Sequence, residues 1–224
     1  VIGLDVQSFF LLDDDPQAFI KRLETAVLEE VCNKWSDIDG LKDMRLVNAL
    51  IKVHETTGAK FVFVIDEWDA VFRYYPKDDA LQKKWIHFLR DMFKQAAMNP
   101  CVALVYMTGI LPVKKYKTQS SLNQFFEYTM LRPLELEKYV GFLPAEVDAL
   151  CEKFDMDRAE AAQWYDGYML PHEHHVYNPC SVARAMKSRT YGSYWTKTDT
   201  FESLLDYINN DLDGVYQDVM GMIG

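Results

Sequence analysis

The chain has 224 residues, 49% of them hydrophobic, which is enough for one sizeable core and a smaller appended unit. Its net charge is −10, from 34 acidic and 24 basic residues, and so acidic a segment does not support nucleic acid as a partner. No run approaches the roughly 20 apolar residues that a membrane-spanning helix needs, so no membrane partner is expected.

The chain opens on Val1-Ile2-Gly3-Leu4-Asp5, with no basic region and no starting Met. That beginning predicts no signal peptide, and it predicts a natural protein that continues upstream. Val1–Val6 reads as a short buried strand. Asp13-Asp14-Asp15-Pro16 reads as a helix start, because Asp15 suits the cap, Pro16 the first helical position and acids the positive end of the dipole. The helix runs to about Lys34, with Phe19, Ile20, Leu23, Val27 and Val31 recurring at helical spacing. A second helix covers about Met44–Thr57 and stops at Gly58.

Phe61–Ile65 is a compact apolar run of strand length, followed by Asp66-Glu67-Trp68-Asp69. Leu81–Ala97 predicts a helix with Trp85, Phe88, Leu89, Met92 and Phe93 on one face. After Asn99-Pro100, Cys101–Met107 is a third strand ending at Thr108-Gly109. A polar loop carries Lys114, Lys115 and Lys117, and Phe126–Leu131 reads as a fourth strand closed by Arg132-Pro133. From Leu134 the pattern turns helical, over about Pro144–Phe154 and Arg158–Tyr165. Trp164–Tyr168 reads as aromatic packing that docks this helical part on the core. Val176-Tyr177 precedes Asn178-Pro179, where Asn178 can cap a helix. A last helix pair is predicted over about Phe201–Asn209 and Leu212–Met220.

Strands alternating with helices predict an α/β core with a parallel sheet covered by helices on both faces, over residues 1–133. Residues 134–224 form a mainly helical or winged-helix lid. Cys32, Cys101, Cys151 and Cys180 are widely spaced, with no CxxC pair, which fits reduced thiols and a cytoplasmic setting. His172-Glu173-His174-His175 has no second ligand pair at a recognised spacing, so a solvated loop outweighs a metal site.

In an open parallel sheet, ligands bind beyond the C-terminal strand ends. Two apolar strands deliver polar residues to that edge, Asp66-Glu67 from one and Thr108 from the other. Adjacent acids there can divide the work of phosphoryl transfer to water. Asp66 would hold Mg²⁺, commonly through a coordinated water, and Glu67 would polarise the attacking water. Thr108 could hydrogen-bond that water or the terminal phosphate. Arg132, after the predicted fourth strand, is a candidate for the γ-phosphate, and Asp69 joins Asp66 and Arg132 as a candidate nucleotide-side residue.

Several segments together resemble the bacterial AAA-ATPase-like family. They are Phe61-Val-Phe-Val-Ile-Asp66-Glu-Trp-Asp69, Tyr106-Met-Thr108-Gly-Ile-Leu-Pro112 and Leu122-Asn-Gln-Phe-Phe-Glu-Tyr-Thr-Met-Leu131. Gly141-Phe142 with Glu146-Val147, Trp164-Tyr-Asp-Gly-Tyr168 and Val176-Tyr-Asn-Pro179 follow in the family's order. The resemblance implies a P-loop ATPase of the STAND and archaeal type, with ATP and Mg²⁺ as cofactors, a Walker B pair at Asp66–Glu67 and a sensor residue at Thr108. Longer relatives imply a fused C-terminal nuclease-like domain as a possible partner. Trp68 stands where the family usually has Tyr. The family's first strand and its glycine-rich loop ending in Gly-Lys-Ser/Thr precede the segment matching Val1–Val6, and nothing here matches them. Without that loop's backbone N–H groups and Lys, the segment is expected to be a poor ATPase by itself. The reading that follows is an ATP-binding, ATP-hydrolysing switch module. The alternative is a non-catalytic scaffold derived from one.

Overall fold

Phe61–Asp66 forms β2, in which alternate side chains take opposite faces, as the period of a strand requires. Phe61, Phe63 and Ile65 are buried, whereas Val64 is exposed. In the computed structural model, which describes residues 1–10, 15–110, 122, 124–129, 132–170 and 175–194, β2 is the middle strand of a three-stranded sheet. Its neighbours are β1 (Ile2–Asp5) and β3 (Val102–Met107), and both pair with it in parallel. The chain divides into two compact units, Val1–Phe126 and Glu127–Gly224.

The crossover from β1 to β2 contains α1 (Phe19–Lys34) and α2 (Leu46–Thr57). The crossover from β2 to β3 contains α3 (Ala70–Tyr74) and α4 (Asp79–Phe93). Both step the same way across the sheet, so the right-handed rule puts both on one face. The contacts agree. Trp35, which closes α1, meets Phe61 at 5.7 Å between ring centroids, and Phe93 at the end of α4 meets Phe63 at 5.1 Å. Phe19 of α1 and Trp85 of α4 pack on each other at 5.4 Å.

Among the described residues, the opposite face lacks the helices that the sequence predicts on both sides. Val62 lies across from Leu104, and Val64 lies between Gly3 and Tyr106. Leu104 and Tyr106 are 55% and 51% exposed. Near-continuous apolar runs suggested two buried faces, but two crossovers of one hand can cover only one.

Helix ends follow their sequence signals. Asp15 accepts a hydrogen bond from the Gln17 amide at 2.9 Å, ahead of a 3-10 turn over Pro16–Ala18 that leads into α1. Gly58, at φ 72°, closes α2 in the left-handed conformation that glycine adopts without strain. The predicted strand at Phe126–Leu131 is absent from the described residues. Thr129 and Arg132 form an isolated antiparallel bridge instead, and residues 130–131 lie outside the description.

The second unit contains α5 (Pro144–Phe154), α6 (Arg158–Tyr165) and α7 (Pro179–Ser188). Between α6 and α7 a hairpin pairs β4 (Asp166–Met169) with β5 (His175–Tyr177). Its core gathers Val147, Cys151, Ala161, Tyr165, Tyr177, Val182, Ala185 and Met186. The Trp164–Tyr168 run therefore splits. Tyr165 enters this core beside Tyr191 at 5.9 Å, whereas Trp164 and Tyr168 are exposed. The helix pair predicted over 201–220 lies outside the described residues, as do Lys114, Lys115, Lys117, His172, Glu173 and His174.

Candidate functional site at the C-terminal sheet edge

Parallel pairing sets the site's first layer. Asp5 stands beside Asp66, and Ile65 beside Met107, so Asp5, Asp66 and Thr108 reach the same edge of the sheet. The ladder continues past the strands: the Thr108 amide donates to Ile65 O at 2.9 Å, and the Trp68 amide donates to Thr108 O at 3.0 Å. These bonds fix Thr108 against the residues that follow β2. The Thr108 hydroxyl donates to Asp66 Oδ1, which also accepts from the Glu67 amide at 3.0 Å. Both bonds fall on one carboxylate oxygen of an exposed side chain.

Glu67 breaks the strand. Its φ of 54° lies in the left-handed region, where a non-glycine residue is held only by its surroundings. Its carboxylate forms an ion pair with Arg73 on α3. Arg73 Nε also lies 3.2 Å from Asp69 Oδ2, and the Arg73 and Asp69 side chains are 8% and 0% exposed. Asp69 accepts from the Ile110 amide at 3.2 Å, which ties it to the loop after Thr108. The Trp68 carbonyl accepts from Trp85 Nε1 at 2.8 Å, anchoring the same turn to α4. Gly109 closes the packing: a Cβ there would lie 2.6 Å from both Asp69 Oδ1 and Trp68 Cδ1.

Asp66, Glu67, Asp69 and Thr108 thus occupy one edge and its adjoining turn. Asp69 is buried inside that turn, bonded to protein groups on the Arg73 and Ile110 sides. Arg132 belongs to the second unit, where its amide donates to Thr129 O at 3.0 Å in a tight turn. Sequence reasoning missed Arg73. The signal was present as an acid and a base at i and i+4, Asp69 and Arg73, entering a helix. It also missed the close approach at Gly109, which no local pattern announces.

No group of three or more His, Cys, Asp or Glu residues suited to a metal occurs among the described residues. His175 pairs instead with Asp166, Nδ1 to Oδ1, at 3.0 Å. All four cysteines are free, with Cys32, Cys101 and Cys151 buried and Cys180 exposed. Burial, then the nearby Glu55 charge, pushes the Cys101 thiol above its ordinary range. No described helix is long and apolar enough to cross a membrane.

The fold and edge define an α/β unit with a carboxylate–hydroxyl pair where open parallel sheets bind their ligands. Residues 10–118 match the family model described as Predicted AAA-ATPase, consistent with an AAA-ATPase-like family. The matched stretch contains β2, β3 and Asp66, Glu67, Asp69 and Thr108, and it ends before Arg132. No curated protein and no solved structure matches the chain.

Proposed function

We propose that the chain is the ATP-binding and ATP-hydrolysing switch module of an AAA-ATPase-like protein, supplying its Walker B and sensor part. The observation that carries this reading is the Thr108–Asp66 hydrogen bond across β2 and β3 at the C-terminal edge. A carboxylate and a hydroxyl from neighbouring strands meet there, inside the stretch that matches the family model.

The donor set suits Mg²⁺, which keeps several waters and needs only one or two carboxylates beside the substrate's phosphates. Asp66 would hold it, because Thr108 and the Glu67 amide engage Oδ1 and orient Oδ2 as the remaining acceptor. Bound there, the ion would neutralise charge on the β- and γ-phosphate oxygens. Glu67 is the water-orienting base, and Thr108 positions the water or the terminal phosphate. Asp69, buried in the turn, supports Glu67 through Arg73 and does not face a nucleotide.

The test compares Asp66→Asn and Glu67→Gln in the full-length protein at equal magnesium. Glu67→Gln is expected to lower turnover about 10²-fold or more while Mg-ATP binding survives, the usual signature of a lost general base. Asp66→Asn is expected to weaken the magnesium-dependent part of binding itself. Residues 1–224 alone are expected to show neither tight Mg-ATP binding nor turnover. Wild-type turnover by Glu67→Gln would leave the acidic pair as a strand-end turn, with hydrolysis carried by other groups.

A further inference from the structure

Asp69 stands at the N-cap position of α3 without a side-chain cap hydrogen bond, and Arg73 lies one turn along, so the helix presents both to one side. That spacing brings the Arg73 guanidinium to the Asp69 carboxylate. A guanidinium taken out of water is tolerated where carboxylates and hydrogen bonds offset its desolvation. It has Asp69 Oδ2 at 3.2 Å from Nε, and the Glu67 carboxylate on Nη2. Asp69 is in turn bonded to the Ile110 amide at 3.2 Å. Ile110 sits two residues beyond Thr108, whose hydroxyl is on Asp66.

The contacts close a ring. It runs from Asp66 to Thr108, along the backbone to Ile110, through Asp69 and Arg73 to Glu67, and back to Asp66 by the Glu67 amide. Gly109 lies within the ring and admits no side chain, so the loop and the turn have little room to move independently. The left-handed φ of Glu67 is held by this surround.

We propose that Arg73 is a positioning residue that couples Glu67 to the Thr108–Ile110 loop through Asp69. A shift of Thr108, when its hydroxyl leaves Asp66 Oδ1 to donate to a phosphate, is passed through Ile110 and Asp69 to Arg73, and so sets where the Glu67 carboxylate stands. The proposal rests on the reading of Glu67 as the water-orienting base. Arginine suits the role because separate nitrogens of one planar group reach two carboxylates, which a lysine ammonium cannot do.

Four forms of the full-length protein test it: wild type, Arg73→Gln, Glu67→Gln and the double variant. Each is assayed for kcat at saturating Mg-ATP and for Mg-ATP affinity. Arg73→Gln is expected to lower kcat about ten-fold or more, with affinity within about two-fold of wild type. In the Glu67→Gln background the same change is expected to cost nothing further, because Arg73 acts only through Glu67. Wild-type turnover by Arg73→Gln, or an equal loss in both backgrounds, overturns the proposal. Should Arg73→Gln fail to fold, Arg73→Lys keeps the cation and decides the matter. It is expected to lower kcat at unchanged affinity, and wild-type turnover by it counts against the coupling.

A readout without catalysis uses residues 1–224 alone. Hydrogen exchange at the Ile110 amide is expected to quicken about ten-fold in Arg73→Gln, as Asp69 loses its fixed cation. Unchanged exchange there refutes the link through Asp69. If Glu67→Gln turns over ATP like wild type, the functional reading fails, and the exchange measurement still decides whether the link exists.

Discussion

Gly109→Ala tests the packing beneath the site without altering any charged group. Gly109 is not among the glycines at positive φ, which are Gly40 and Gly58, so alanine meets no backbone penalty there. The cost is steric. The new methyl would lie 2.6 Å from Asp69 Oδ1 and from Trp68 Cδ1, and 2.8 Å from Trp68 Nε1. Ordinary contact between carbons is about 3.5–4.0 Å, so something must retreat by roughly 1 Å.

Neither neighbour can do so cheaply. Trp68 is 3% exposed, its amide donates to Thr108 O and its carbonyl accepts from Trp85. Asp69 is held by Arg73 and by the Ile110 amide. Overpacking of this kind costs about 1–3 kcal/mol, and alanine recovers about 0.4–1 kcal/mol by restricting the unfolded chain. The net loss of about 1–2 kcal/mol lowers Tm by about 2–8 °C for a domain of this size class. The assay is thermal unfolding of residues 1–224 followed by tryptophan fluorescence, since Trp68 and Trp85 both lie in the affected region. Gly3→Ala is the control, because nothing lies within 4 Å of a Cβ at Gly3. If Gly109→Ala melts at or above the Gly3→Ala temperature, the close approach at Gly109 is not a constraint and the coupling ring loses its stiffness.

Two further predictions concern stability elsewhere. Asn178→Ala removes the side chain that accepts from the Ser181 amide at 2.9 Å, and is expected to cost about 1 kcal/mol, read as faster amide exchange at the start of α7. Glu24 has its carboxyl raised above the ordinary range by burial, with Arg45 opposing that shift. A raised folded-state value means the folded chain binds the extra proton. The stability tied to that proton is present at low pH and is lost as pH rises through the folded value. Glu24→Gln is therefore expected to raise Tm at neutral pH and to have no effect below about pH 4, where the unfolded carboxyl is also protonated. A gain that is equal at both pH values would mean that the charge is not the cause.

Local physics was legible without coordinates. Asp15-Pro16, Gly58 and Asn178-Pro179 mark helix ends because caps depend on residues within one turn. Short apolar runs ending in Asp66 and Thr108 gave parallel strands whose ends share an edge, because in parallel pairing adjacent C-termini align. The α3 segment went unread, since the five residues of Ala70–Tyr74 are too few for a helical period to show. Asp166–Met169 went unread as a strand because its aromatic, glycine-containing run has no alternation to expose it.

The sequence by itself determined the three core strands and the longer helices, the acidic and hydroxyl side chains at the sheet edge and the resemblance to a family. Tertiary structure decided which side of the sheet the helices cover, leaving Leu104 and Tyr106 exposed on the other. It also decided that Glu67 turns to Arg73 and that Asp69 is buried against Gly109 and the Ile110 amide. The reason is the range of the forces involved. Caps and periodicity act within a few residues, whereas crossover hand and close approach join segments about 40 residues apart, such as Asp69 and Ile110.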